Sequence, residues 1–431
     1  MLSDEKMIET LNGLCSYKSV AERTGNPDCP YGVETNAALK YMLDVCREFG
    51  FRTENLDNQL GYAEIGEGEE LFGILVHLDV VPAGDGWDYE PYGATLAENR
   101  IYGRGVIDDK GPAVACIYAM KDLLDLNKKF RRRIRIIFGQ TEEAGEWDDM
   151  QYYKDHEELP LLGFTPDAHF PAIYAEKGIY QFKVICPMAK SGFKRIEGGV
   201  AANMVPNSAN AEIVLPDGST ESFTAAGVAA HGSTPEAGEN AVSNLMQEIA
   251  EFCREKGIET PYLTDFYNKY IGYDTTGKGL GIDSGDDVYG KLTLNVGRVY
   301  TDNENVNMLF DIRYPVNIEY TDIEAKLEQL IRNLGMDISL NSQSNPVYMD
   351  KNGALMTQLV NVYHEMTGLE GEAELIGGGT YARAMDNIIA FGPTIPGMEQ
   401  TEHKTNEYIS KDAFLLLRKI YRETLERTCM E

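Results

Sequence analysis

Long apolar runs are missing from this chain. No stretch of its 431 residues approaches the roughly 18 consecutive apolar side chains that a membrane-spanning helix needs. The opening "MLSDEKMIETLNG" also lacks the basic-then-apolar pattern of a secretion signal, so a cytoplasmic protein is expected. Paired cysteines are missing too. The seven (Cys15, Cys29, Cys46, Cys116, Cys186, Cys253 and Cys429) are odd in number, widely scattered and free of any C-x-x-C pair. That fits reduced thiols in a cytosol better than a disulfide framework or a zinc-thiolate site. Basic side chains are scarce, 39 Lys and Arg against 69 Asp and Glu, for a net charge of -30. The resulting field repels polyanions and argues against nucleic acid and anionic membranes as partners. It is compatible with divalent metals, although solubility alone accounts for most of the acids. Solenoid repeats, low-complexity tracts and long linkers are absent as well.

What is present is ordinary globular composition, 43% hydrophobic and 25% charged, on a chain long enough for two domains. "TNAALKYMLDVCREFG" puts Leu39, Met42, Leu43, Cys46 and Phe49 on one helical face and stops at Gly50. Strand-like runs follow at "LFGILVHL" and "RIRIIFG", separated by a helix that opens at "GPAVACIYAMKDLL" with Pro112 in its first turn. Strands alternating with helices predict α/β layering around a mostly buried, mixed sheet. After about Gly178 the pattern changes. "YQFKVICP" and "NENVNMLFDIRYP" alternate polar and apolar residues, with Val306, Met308, Phe310 and Ile312 on one side, which predicts a sheet with one wet face. The amphipathic helices "ENAVSNLMQEIAEFCREKG" and "DIEAKLEQLIRNLG" interleave with such strands, and helices resume at "GALMTQLVNVYHEMTG" and "DAFLLLRKIYRETLERTCM". The expected architecture is one α/β domain split into 1–177 and 346–431, with an α+β domain, 178–345, inserted in it.

Six histidines (His77, His156, His169, His231, His364 and His403) make each one's setting informative. In "VHLDVVPAGDGW", His77 and Asp79 end a buried strand two residues apart. They point to the same side, so Asp79 can accept a hydrogen bond from the ring nitrogen that His77 does not use for metal. Alone, such a histidine is more often a satisfied core residue. "YGRGVIDDKGPAV" places Asp108 and Asp109 at the start of a helix, where capping competes evenly with a bridging-carboxylate role. "FGQTEEAGEW" sets Glu142 and Glu143 directly after a hydrophobic strand, where open α/β sheets place their sites. One acid would ligate metal while the other faces a water. "GFTPDAHFPAIYAEKG" adds Asp167 and His169, and "EQTEHKTNEYIS" adds His403 before a helix expected from about Ser410. Together these groups suffice for two divalent cations sharing one carboxylate. No cluster of Arg or Lys accompanies the acids, which disfavours a phosphoesterase. His156 and His364 are assigned to solvated or helical surface.

The ordered set "HLDVVPAGDGW", "YGRGVIDDKGP", "TEE", "PDAHFPAIYAEKG", "HGSTPEAGENA", "GGGTYARAM" and "TEHKTNEYIS" resembles the dinuclear zinc-dependent aminoacylase and carboxypeptidase superfamily. It is most similar to the branch containing bacterial dipeptidase V. The resemblance spans nearly the whole chain and implies a split catalytic domain with an inserted lid. It implies that His77 and Asp167 hold one metal ion, His403 and Glu143 the other, and that Asp108 bridges both. It further implies a cis bond between Asp108 and Asp109, and Glu142 as the general base. In the lid, His231 of "AAHGSTPEAG" would stabilise the oxyanion. Arg313 of "FDIRYP", expected to face outward, would clamp the substrate's C-terminal carboxylate. Asn203 would share that task, and Gly377, Gly378 and Gly379 would either offer backbone N–H groups to it or merely form a tight turn. Asp79 would also sense the substrate's free amino group. Two departures stand out: Thr141 where the family often has an acid, and His169 where the dipeptidase branch usually has one.

The function so implied is hydrolysis of short unblocked peptides by a monomeric enzyme that needs zinc, with manganese or cobalt as alternatives. Two rivals remain: an amidohydrolase of N-acylated amino acids, and a non-catalytic metal- or peptide-binding protein on the same scaffold.

Overall fold

A strand whose every residue from Leu71 to His77 is apolar or functional has no wet face to offer, and it forms only where both faces are covered. The computed structural model describes residues 2–145 and 147–431. Its chain divides into two compact units: Met1–Tyr174, Met349–Glu374 and Gly379–Glu431 in unit 1, and Ala175–Tyr348 with Leu375–Gly378 in unit 2.

Unit 1 begins with helices α1 (Asp4–Cys15) and α2 (Val33–Glu48). The side chain of Ser3 caps α1 by accepting the Lys6 N–H. In α2 the predicted stripe of Leu39, Met42, Leu43 and Cys46 is buried, and Phe49 caps its end. A hairpin, β1 (Arg52–Leu56) and β2 (Leu60–Ile65), follows. Next come β3 (Glu70–His77), α3 (Lys110–Asp125), β4 (Arg132–Gly139), α4 (Asp148–His156) and β5 (Leu162–Thr165). β3 is buried from Leu71 to His77, and α3 is buried all round from Lys110 to Met120, which is why its sequence lacks a polar stripe.

Unit 2 carries β6 (Gly178–Pro187), β7 (Phe193–Gly198), β8 (Ser208–Val214) and β9 (Thr220–Ala226). Helices α5 (Ala241–Lys256) and α6 (Tyr262–Tyr270) lead to β10 (Thr293–Thr301) and β11 (Asn305–Tyr314), then α7 (Tyr320–Asn333) and β12 (Asp337–Ser344). The seven strands form an antiparallel sheet in the order β9-β8-β7-β10-β11-β6-β12. Its inner face packs Phe182 on Phe310, rings 4.6 Å apart and nearly parallel, against the apolar stripes of α5, α6 and α7. β6 alternates buried and half-buried residues as its sequence predicts. β11 does not. Asn307, Asp311 and Arg313, expected on a wet face, are buried as deeply as Met308 and Phe310. They pay no unpaired-charge penalty because Asp311 and Arg313 bond each other and Asn307 donates to Asp302.

The returning segment adds α8 (Ala354–Thr367), β13 (Ile388–Ala390) and α9 (Lys411–Cys429) to unit 1. β13 runs parallel to β5, so part of the sheet reads β1-β2-β4-β3-β5-β13, with β4, β3, β5 and β13 mutually parallel, β2 antiparallel to β4 and β1 antiparallel to β2; beyond β13 the sheet continues with the antiparallel strand Ile173–Glu176. α9 starts where Ser410 accepts the Ala413 N–H. It packs on α3 through a two-pronged ion pair from Arg418 to Asp122. Among the described residues no helix is long and apolar enough to cross a membrane.

Candidate active site

Three adjacent parallel strands, β4, β3 and β5, end at the same edge of the unit 1 sheet. β3 ends on His77 itself, β4 runs into Gln140, Thr141, Glu142 and Glu143, and β5 runs into Pro166 and Asp167. Side chains beyond the carboxyl ends of parallel strands converge because the strands are neighbours. Two loops complete the set: the one before α3 brings Asp108, and the one before α9 brings His403.

Asp108 lies between the two imidazoles. Its Oδ1 is 3.0 Å from His77 Nε2 and its Oδ2 is 3.0 Å from His403 Nε2. His403 Nε2 is also 3.0 Å from Glu143 Oε1, and His77 Nε2 is 3.7 Å from Asp167 Oδ1. Donor atoms of His77, Asp108 and Glu143 lie within 4.8 Å of one another, as do those of His77, Glu142 and Asp167. Ligands about 2.0–2.2 Å from a tetrahedral ion stand roughly 3.3 Å from each other, so these separations fit co-ligands. The Asp108–Asp109 bond is cis.

The electrostatics point the same way. Burial, then the charge of Asp167, push the Glu142 carboxyl well above its ordinary range. Burial and Asp108 raise the Glu143 carboxyl, and burial also raises Asp167. Hydrogen bonds to Asp108 and Glu143 push His403 up to about 11. Burial opposes the charged form of His77, yet Asp108, Asp167 and Asp79 hold its pKa well above the usual value. Acids pushed toward neutrality beside histidines pulled toward cations describe a pocket short of positive charge. Two imidazoles with an oxygen-rich surround fit divalent cations such as zinc, manganese or cobalt.

A further layer holds these groups. Asp79 is fully buried; its Oδ1 accepts the Glu142 N–H at 3.2 Å and its Oδ2 the Glu143 N–H at 2.9 Å. His77 Nδ1 lies nearer the Asp79 backbone oxygen, at 3.0 Å, than the Asp79 carboxylate, at 3.5 Å. The aspartate therefore aims the glutamate loop as much as the imidazole. Asp109 sits at the N-cap of α3 but makes no capping bond; its Oδ2 accepts the backbone N–H of His77 instead. Sequence reasoning missed three anchors. Asp149 accepts N–H groups from Gln140 and Thr141 and the Thr141 hydroxyl. Arg104 and Glu407 form a buried ion pair beside Asp108 and His403. Burial, with the charge of Asp108 behind it, pushes Glu407 up to about 7. The available signals were an arginine between two glycines and a lone acid directly before a short apolar strand, and both also occur in solvated loops.

Unit 2 gathers the other candidates. His231 Nδ1 is 2.7 Å from Ser233 Oγ. The Gly232 N–H donates to Asn203 O, and a Cβ on Gly232 would touch Asp311 Oδ2 at 2.7 Å. Burial, then Arg313, lower the His231 pKa. Arg313 is buried rather than outward-facing: Nε and Nη2 bond Asp311, and Nη1 donates to Gly377 O at 3.1 Å. Its strand neighbour Asp311 was taken for an outward residue, and it draws the guanidinium in. Gly377 to Gly379 take no positive φ. Gly377 is nevertheless tight, because a Cβ there would meet Ser233 Cβ at 2.9 Å. Gly377 and Gly378 close unit 2, and Gly379 opens the last segment of unit 1. Outside these groups, His169 Nε2 is 2.9 Å from Glu374 Oε2, His156 stacks on Tyr152 in α4, and His364 bonds Gly371 O.

Comparison with known proteins gives concordant findings. The pattern of peptidase family M20/M25/M40 matches residues 73–427. A Staphylococcus epidermidis protein named "Putative dipeptidase" is 34% identical over 462 aligned positions, covering 99% of this chain and 98% of that one. Among solved structures, an aminoacylhistidine dipeptidase from Vibrio alginolyticus superposes with a TM-score of 0.62 at 14% identity, over 100% of this chain and 98% of that one. A metallo-carboxypeptidase from Sulfolobus solfataricus gives 0.60 at 16% identity, over 98% of each chain. At these identities the structures establish the shared fold.

Proposed function

Since the chain belongs to peptidase family M20/M25/M40, we propose that it is a metal-dependent dipeptidase of the cytoplasm, hydrolysing the single peptide bond of short, unblocked peptides. The observation that carries the reading is Asp108, whose two oxygens each face a different histidine with an acid beyond it. His77 and Asp167 would hold one cation, His403 and Glu143 the other, and Asp108 both, with zinc first and manganese or cobalt as alternatives. Two such cations would supply Lewis acidity, polarising a carbonyl and making a water more acidic.

The protein's own groups do the rest. Glu142 takes the proton of the attacking water and returns it to the leaving amine. Its raised pKa supports that double task, since burial makes the carboxylate a stronger base toward the proton it takes up and passes on. Asp79, through its bonds to the Glu142 and Glu143 N–H groups, holds base and ligand in place. His231, with its pKa lowered, is a neutral donor suited to a developing oxyanion. Arg313 and Asn203 are assigned to the substrate's carboxylate, with backbone N–H groups of Gly378 and Gly379. Because Asp311 and Gly377 already occupy much of the Arg313 fork, the carboxylate would join an existing pair.

The test uses free dipeptides and their N-acetylated counterparts, with protein stripped of metal, reconstituted with Zn or Mn, and carrying Glu142→Ala. Metal-dependent cleavage of the free peptides, lost in the variant, is the expected result. Cleavage confined to the N-acetylated series would assign the chain to acylamino-acid hydrolysis. Ion binding without turnover of either series would leave a binding protein.

A further inference from the structure

The loop before Asp108 and the loop after His403 are joined by one buried carboxylate. Glu407 Oε1 accepts the N–H groups of Gly105 at 3.0 Å and Ile107 at 3.1 Å, and its backbone oxygen accepts the Gly103 N–H at 3.0 Å. Its Oε2 takes Arg104 Nη1, and Arg104 Nη2 reaches Lys404 O at 3.4 Å and Pro82 O at 3.5 Å. These contacts land on the residue before Asp108 and the residue after His403. The Arg104 guanidinium lies 5.4 Å from the centre of the Trp87 ring, which closes the far side. Gly111 lets the chain wrap tightly: its N–H donates to Gly105 O, and a Cβ there would sit 2.0 Å from Val106 O.

A buried ion pair is weak support for stability, because desolvation offsets the attraction, and its better-attested use is to fix registry. Every hydrogen bond of this pair fixes one loop against another rather than packing within an element. We propose that Glu407 is a positioning residue: it sets the 105–108 loop against the 403–407 loop, so that Asp108 and His403 face each other before an ion arrives. The proposal rests on the reading of Asp108 and His403 as ligands. Outer groups of this kind orient ligands, and their loss typically weakens metal binding roughly 10–100-fold.

Glu407→Asp tests it. The variant keeps the charge and the counter-ion of Arg104 but withdraws the carboxylate by one methylene, so the Gly105 and Ile107 N–H groups lose their acceptor. Zn binding is measured by competition with a chromophoric chelator, alongside thermal unfolding of metal-stripped protein and dipeptide turnover. The expected result is an affinity lowered at least tenfold for one of two ions, a reduced kcat with KM unchanged, and a metal-free Tm within a few degrees of the parent. Unchanged affinity and kcat with a lowered metal-free Tm would make Glu407 a structural brace and overturn the proposal. Should the variant fail to fold, Arg104→Lys serves instead. It keeps a cation but loses the fork that holds Lys404 O and Pro82 O, and the same affinity loss is expected; its absence would count against positioning. A parent protein that binds no Zn would overturn the ligand reading itself, an outcome visible before any variant is made.

Discussion

Glu143 donates its backbone N–H to Asp79 Oδ2 at 2.9 Å across 64 positions of sequence. The neighbouring Glu142 N–H takes the other oxygen of the same carboxylate. One fully buried side chain thus aims two adjacent acids that diverge by virtue of being adjacent. Asp79→Asn turns an amide donor toward one of those N–H groups. Leaving a buried donor unmet costs about 1–3 kcal/mol, so the variant should melt lower in calorimetry and turn over peptide more slowly. A variant with parental Tm and kcat would mean the loop holds itself.

Glu142→Gln keeps shape while removing the proton acceptor. General acid–base catalysis contributes roughly 10²–10⁴-fold, and a kcat loss in that range is expected with KM and ion content unchanged. Ion loss measured by elemental analysis would instead place Glu142 among the ligands, near His77 and Asp167 with which it clusters.

Stripping the metal should abolish turnover and lower the Tm, since Asp108, Glu142, Glu143 and Asp167 then crowd together with only His77 and His403 to offset them. Saturating a site at 100 times its Kd stabilises by about 2.7 kcal/mol. Differential scanning calorimetry across a Zn or Mn titration reads this directly.

The pair Arg418–Asp122, both buried, ties α9 to α3 with bonds of 2.8 and 2.7 Å. Arg418→Ala strands the aspartate and should cost about 3–5 kcal/mol in urea unfolding. Adding Asp122→Leu should recover much of the loss, because the penalty belongs to the unpaired charge rather than to the missing bond.

All seven cysteines are buried. Burial pushes the Cys15 and Cys429 thiols up to about 12 from 9.0. Below pH 9 both folded and unfolded chains keep these protons, and the contribution to stability is whole. As pH rises from about 9 toward 12 the unfolded chain ionises first, so stability falls through that window. Native protein should react slowly with a thiol reagent at pH 8, and unfolded protein rapidly at all seven positions. Fast native reaction at any one of them would contradict its burial.

Much of the framework was legible because it depends on period. The α2 stripe, the buried runs of β3 and β4, Pro112 in the first turn of α3 and Ser410 at the cap of α9 all express local rules. Among the candidate site residues, His77, Glu142, Glu143 and Asp167 stood out because each sits at or just past the end of an apolar strand, and Asp108 because it precedes an apolar helix. Glu407, Arg104 and Asp149 did not, since a charged side chain in a polar loop carries no mark of burial until its distant partner is known. The same limit hid the pairing of Asp311 with Arg313. Alternation along β11 located their face correctly, while nothing local indicated that the face was covered.

The convergence of β4, β3 and β5 has a metrical side. Neighbouring strands stand roughly 4.8 Å apart, and side chains hung from their ends inherit that interval. The backbone ladder is therefore the gauge of the centre. Loop exchange can change which group hangs at each mark, but the spacing of the marks belongs to the sheet, and only a change deep in β3 or its neighbours would alter it.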